Sequence, residues 1–219
     1  MTQHEGAKPQ PRTRSRILLV ASSIASFIFH PFFMTTIGAF SLYKLVPLTF
    51  HKYSSHAVNI FLLKLSLTTI IFPFISVLLF RKLHLISDTK MHEPKDRTYP
   101  LLAALVFYTL AYWFLTQEIP LIIHSLLLGS CLSVFVLFIA TNFYKVSVHT
   151  TAAAILPGLC IVLLGSGETV IMPLVMASLI AIIVGVVRWL LGAHTIGQIL
   201  LGYLTGIFTQ LGTYYYLHS

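Results

Sequence analysis

Acidic side chains are scarce in this chain, with six Asp and Glu among 219 residues against 14 Lys and Arg. Charged residues of every kind make up 9%, where a soluble domain carries about a quarter. So few charges cannot clothe a water-facing surface. This excludes an ordinary soluble globule, and with it a soluble basic face for nucleic acid. Cysteine is nearly absent too. Cys131 and Cys160 both lie inside apolar runs, which excludes a disulfide framework and a cysteine-ligated metal. The few carboxylates form no cluster able to grip a divalent cation, so no metal and no other cofactor is expected. The surplus positive charge, +8, has two readings: membrane-flanking lysines and arginines, or the seat of an anionic ligand.

What the chain has in abundance is apolar surface, at 57% of residues. A spanning helix needs roughly 20 apolar residues. Seven runs approach that length: 17–45, 57–80, 99–115, 119–143, 148–164, 169–187 and 196–217. The first is interrupted at His30-Pro31 and reads as one kinked span, with a re-entrant hairpin as the other option. No run alternates as a barrel strand would. The expected fold is therefore all-α, a polytopic membrane bundle of about six to seven transmembrane helices. Residues 1–14 read as a disordered basic tail, 15–56 as a transmembrane and interfacial segment, and 57–219 as the bundle that carries the chemistry.

The polar breaks follow a parity. Stretches 81–97, 145–149 and 188–194 follow the second, fourth and sixth runs, so an even number of crossings separates them. All three belong on one membrane face. That face gathers Lys90, Lys95, Arg97, Lys145, Arg188, His149 and His194. Ionisable groups beside spans with almost no linker tend to face a cavity and to be functional. Several cations converging on a point make a clamp for phosphate, with arginine supplying planar paired donors and lysine a point charge. Two histidines can then divide the work, one attacking phosphorus and one protonating the leaving oxygen. A channel would instead need polar residues strung through the spans, and most span centres lack ionisable groups.

These residues and spacings resemble the type 2 phosphatidic acid phosphatase superfamily, which also includes vanadium haloperoxidases. Lys90, six residues and Arg97 are similar to its first motif, with Pro100 three residues after Arg97 instead of next to it. Val146-Ser147-Val148-His149 resembles the second motif, with Val148 in place of glycine. Arg188, WLLGA, His194, TIG and Gln198 resemble the third, with Val187 in place of serine and Gln198 in place of aspartate. The resemblance covers about residues 57–217. It implies a metal-independent lipid phosphatase. His194 would be the nucleophile that forms a phosphohistidine, and His149 the general acid. Lys90, Arg97 and Arg188 would hold the phosphate oxygens, with Ser147 completing the oxyanion site. Gln198 would fix the His194 tautomer without the negative charge an aspartate brings. The implied substrate is a lipid phosphomonoester or diphosphate in a bacterial cytoplasmic (inner) membrane, and the implied partners are membrane lipids. An inactive lipid-phosphate binding or transport protein is the alternative.

Other residues read more blandly. Lys64, within the second run, snorkels or pairs helices. His30-Pro31 is a kink. Gly202 and Gly206 form a small-residue step for close helix packing, with a homodimer through that face as a further expectation. On sidedness two lines conflict. The basic N-terminus argues for a cytosolic site, whereas the family more often faces outward.

Overall fold

The computed structural model describes residues 15–86, 94–115, 119–165 and 169–219. The basic tail 1–14, Lys90, Glu118 and Glu168 lie outside the described residues, as does the side chain of Lys95. The described residues are all-α: α1 (Arg16–Ile28), α2 (Pro31–Leu45), α3 (Ser55–Ser66), α4 (Phe72–Lys82), α5 (Pro94–Leu115), α6 (Leu121–Ala140), α7 (Val148–Gly165), α8 (Ile171–Leu190) and α9 (Ile196–His218). The surface is inside out relative to a soluble protein. Trp113, Met172 and Phe208 are among many large apolar side chains that point outward, which only lipid can accommodate at this density. This is a multi-pass membrane protein.

Five helices or continuous helix pairs are long and apolar enough to cross a bilayer, or six when the bent pair α1–α2 is counted as one span. The expected range of six to seven differs by α9. It has the length, at 23 residues, but Thr205, Thr209, Gln210 and Thr213 dilute its hydropathy. Thr209, Gln210 and Thr213 are buried inside the bundle.

The first run breaks at His30, and α1 and α2 diverge by 59°. Pro31 opens α2, where its missing N–H costs nothing, and the His30 ring accepts from Phe32 N at 3.4 Å to cap the helix. The chain then continues across the bundle. Val46 and Phe50 share a core with Ile122, Ile123, Leu163 and Val170, which mark the far ends of α6, α7 and α8. From the break at His30, α2 thus runs to the far ends of the neighbouring helices.

Ser55 to Lys82 forms one span of 28 residues. It contains a wider π-helical stretch at Leu67–Ile71, just before Pro73. Proline has no N–H to donate and its ring crowds the carbonyl one turn back, so the backbone widens there. The Thr68 and Thr69 hydroxyls donate to the Lys64 and Leu65 carbonyls, which keeps backbone oxygens satisfied in lipid.

The most extensive interface joins α7 and α9. A Cβ on Gly202 would strike the Thr150 hydroxyl and the Ser147 carbonyl, and one on Gly206 would strike the Thr151 carbonyl and Ala154. The two glycines therefore let α9 lie directly on α7 of the same chain. This corrects the expectation of a homodimer through Gly202 and Gly206: that face is buried within the fold.

Candidate anion site at the helix ends

The seam between α7 and α9 fixes where their first turns lie. Ser147 N donates to Gln198 O at 3.3 Å and Thr150 Oγ1 to Ile199 O at 3.2 Å. Two helix N-termini, the positive ends of their dipoles, are thereby held side by side. His149 is the second residue of α7 and His194 lies just before α9.

The turn into α9 is built for a histidine. Gly192 adopts φ +65°, in the left-handed region that suits glycine, with open space where a Cβ would stand. This reverses the chain between α8 and α9. Thr195 then caps α9 and Gln198 reaches back, forming a capping box. Gln198 Oε1 accepts from Thr195 N at 3.2 Å and also lies 3.1 Å from His194 Nδ1. Because that oxygen is an acceptor, His194 Nδ1 must carry the proton. Nε2 is left with its lone pair, which is the form a nucleophile needs.

Arg188, at the end of α8, donates from Nη1 to Ser26 Oγ at 2.9 Å. Its Nε is enclosed and has no acceptor. An enclosed guanidinium N–H without a partner is costly unless an anion meets it. His194 responds to the charges of Arg188, Lys145 and Arg97, and His149 to Arg188, His30 and His194. These residues, spread from the first helix to the last, share one electrostatic neighbourhood. Burial, then the neighbouring Arg188, lowers the His194 pKa to about 4, with smaller contributions from Lys145 and Arg97. Burial, then Arg97 and Arg188, also lowers Lys145. The cluster is thus crowded with positive charge and holds its histidine neutral at ordinary pH. A phosphate would relieve both the crowding and the unpaired donor.

The structure brings together Arg97, Arg188, His149, His194 and Gln198. Arg97 is 8% exposed and follows the more deeply buried Asp96 on the first turn of α5. Lys90 lies outside the described residues. Ser147 takes a different place from the expected one. It is fully buried, and its hydroxyl accepts from Thr150 N at 3.4 Å. It starts α7 and has no exposed surface to offer a ligand, so its expected part in holding phosphate is corrected to that of a helix cap. Among the described residues no three His, Cys, Asp or Glu side chains converge as a metal ion would require.

Sequence reasoning missed two contributors, Ser26 and His30. Ser26 Oγ lies 3.4 Å from His149 Nε2, and the His30 ring meets the His149 ring edge-on at 5.3 Å between centroids. A signal was present: Ser22, Ser26 and His30 recur every four residues, the spacing of one helix face. Comparison with family models, with characterised proteins and with solved structures finds no match to this chain.

Proposed function

We propose that this chain is a membrane-embedded phosphatase that hydrolyses a lipid phosphomonoester or diphosphate. The observation that carries the reading is the enclosed, unpartnered Arg188 Nε beside a histidine whose Nδ1 is tied to Gln198. His194 Nε2 attacks phosphorus and forms a phosphohistidine. Arg97 and Arg188 neutralise the charge that develops on the phosphoryl oxygens. His149 protonates the leaving oxygen, and water then hydrolyses the phosphoenzyme. Lys145, which the sequence reading did not assign a role, adds charge to the same neighbourhood. A site at the helix ends sits at headgroup depth and suits a substrate whose tail stays in the bilayer. A bacterial cytoplasmic membrane is the setting the family resemblance implies.

Gln198 supports a second reading, because a neutral amide stabilises an imidazolium less than a carboxylate would. On that reading the same cluster holds lipid phosphate without turnover. One experiment separates the two. Purified protein in detergent is offered phosphatidic acid, an isoprenyl diphosphate and phosphatidylglycerol phosphate, and released phosphate is measured. Turnover of at least one, cut about a thousandfold or more in His194→Ala, is expected. Saturable binding with no release in the wild type would leave the binding reading standing.

A further inference from the structure

We infer that Ser26, on the N-terminal helix α1, is a positioning residue that decides which nitrogen of His149 serves the ligand; the inference rests on the phosphatase reading above. The argument is one of hydrogen counting. Arginine has donors only, so the Arg188–Ser26 contact at 2.9 Å must run from Nη1 to the serine oxygen. The serine hydroxyl still has its own hydrogen to place. Among the described residues its remaining partner is His149 Nε2, at 3.4 Å. With the hydroxyl hydrogen on Nε2 the neutral ring carries its own proton on Nδ1; the alternative, Nε2–H donating to the second lone pair of Oγ, leaves the hydroxyl hydrogen without a partner. The His30 ring, edge-on at 5.3 Å, holds the plane of His149. His30 itself is fixed because its Nδ1 accepts from Phe32 N. The groups facing His149 are thus His30 from the α1–α2 bend, Arg188 from α8 and His194 from the turn before α9, with the backbone carbonyl of Ser26 beside its hydroxyl as a further acceptor for the ring.

The same hydroxyl suits the protonated ring. A serine oxygen has two lone pairs and can accept from Arg188 and from Nε2–H together. When a bound phosphate offsets the charge of Arg188, the ring takes a proton from solvent. As the bond between phosphorus and the leaving oxygen breaks, that oxygen takes the Nδ1 proton. The ring returns to neutral with its remaining proton on Nε2, against Ser26. Ser26 thus ties the phosphate-binding arginine to the proton donor through one atom, from a helix outside residues 57–217 where the motif resemblance lies.

The test uses the full chain in detergent micelles with ring-15N histidine, in wild-type, Ser26→Ala and Ser26→Thr forms, and His149→Gln to assign the signal. The wild type should show resting His149 protonated on Nδ1. Ser26→Ala should shift it toward the Nε2 form, and Ser26→Thr, which keeps the hydroxyl, should restore it. With dioleoyl phosphatidic acid in mixed micelles, Ser26→Ala should lower kcat roughly tenfold, the loss of one hydrogen bond. KM should change less, the limb of the kcat pH profile belonging to the general acid should move, and Ser26→Thr should recover both. An unchanged tautomer and pH profile in Ser26→Ala would overturn the inference. If the wild type releases phosphate from none of the three lipids named above, the phosphatase reading fails, and the ring-nitrogen comparison still decides the role of Ser26.

Discussion

Two polar regions of this bundle contrast. Between α6 and α9, deep in the fold, Gln210 Nε2 donates to Ser125 Oγ at 2.7 Å, Ser133 and Thr209 hydroxyls meet at 2.6 Å, and Thr213 Oγ1 donates to the Ser125 carbonyl at 3.4 Å. These groups are neutral and buried, and apart from Gln210 Oε1 they are hydrogen-bonded to one another or to backbone carbonyls. They act as glue where hydrocarbon offers no hydrogen bonds. At the helix ends the polar groups are ionisable and largely cationic, with Arg188 Nε enclosed and unpaired. The difference is one of charge: the deep network leaves a neutral amide oxygen, Gln210 Oε1, without a partner, whereas the helix ends leave a cationic donor, Arg188 Nε, which an anion would satisfy.

That contrast breaks most sharply at His194, the proposed nucleophile. His194→Ala should abolish phosphate release while leaving thermal stability near the wild-type value, because His194 stands in a turn outside the α7–α9 seam. The converse variant is Gly206→Leu. It forces a side chain into the Thr151 carbonyl and Ala154, and overpacking of this kind costs about 3 kcal/mol. Chemical unfolding in detergent should show that loss. Activity should fall with it, because the same seam sets the first turns of α7 and α9.

Gln210→Leu sharpens the other side. Interhelical hydrogen bonds in membranes contribute about 1 kcal/mol, so a stability loss of that order is expected, read from the unfolding midpoint, with kcat unchanged. A large loss of activity instead would mean that the deep network belongs to the site.

The smallest effect lies in pH. His194 has a pKa of about 4 in the fold against an ordinary value of 6.5. Between those values the unfolded chain binds the extra proton. The contribution of His194 to stability is therefore full above the ordinary value and declines as pH falls toward 4. His194, with its pKa lowered to about 4 by burial and Arg188, stays neutral above that value, so on the proposed mechanism kcat/KM should fall only on the far acid side. Gln198→Asp adds a negative charge beside the ring and can still accept from Thr195 N. It should raise the His194 pKa and move that acid limb up by about one unit or more, as a pH series of kcat/KM would record.

The helices from residue 57 onward were legible because each is a long apolar run between polar breaks. The observed ends of α6 and α8 differ from the expected ones by about three residues at most termini, where apolar side chains continue into turns. The parity of those breaks was equally readable, since it needs only a count of crossings. Two things were not. Ser147 looked like a ligand because it precedes a histidine, yet serine before a helix is also a cap, and the local sequence is the same for both. Ser26 and His30 were hidden because their role depends on where α1 leans after the break at His30, which tertiary packing sets. Gly202 and Gly206 announced close approach, but a small-residue step does not name its partner. Here the partner is α7, whose first-turn threonines and Ala154 leave room only for glycine.

The central claim is that His194 becomes covalently phosphorylated in turnover. The direct measurement is mass spectrometry of protein quenched under alkaline conditions during hydrolysis of a lipid phosphate that it turns over. The account predicts a phosphoryl group on the peptide containing His194, absent from His194→Ala and accumulating in His149→Gln with a lipid diphosphate only if attack still occurs. Steady phosphate release with no phosphoryl group on His194, or release that persists in His194→Ala, would contradict it.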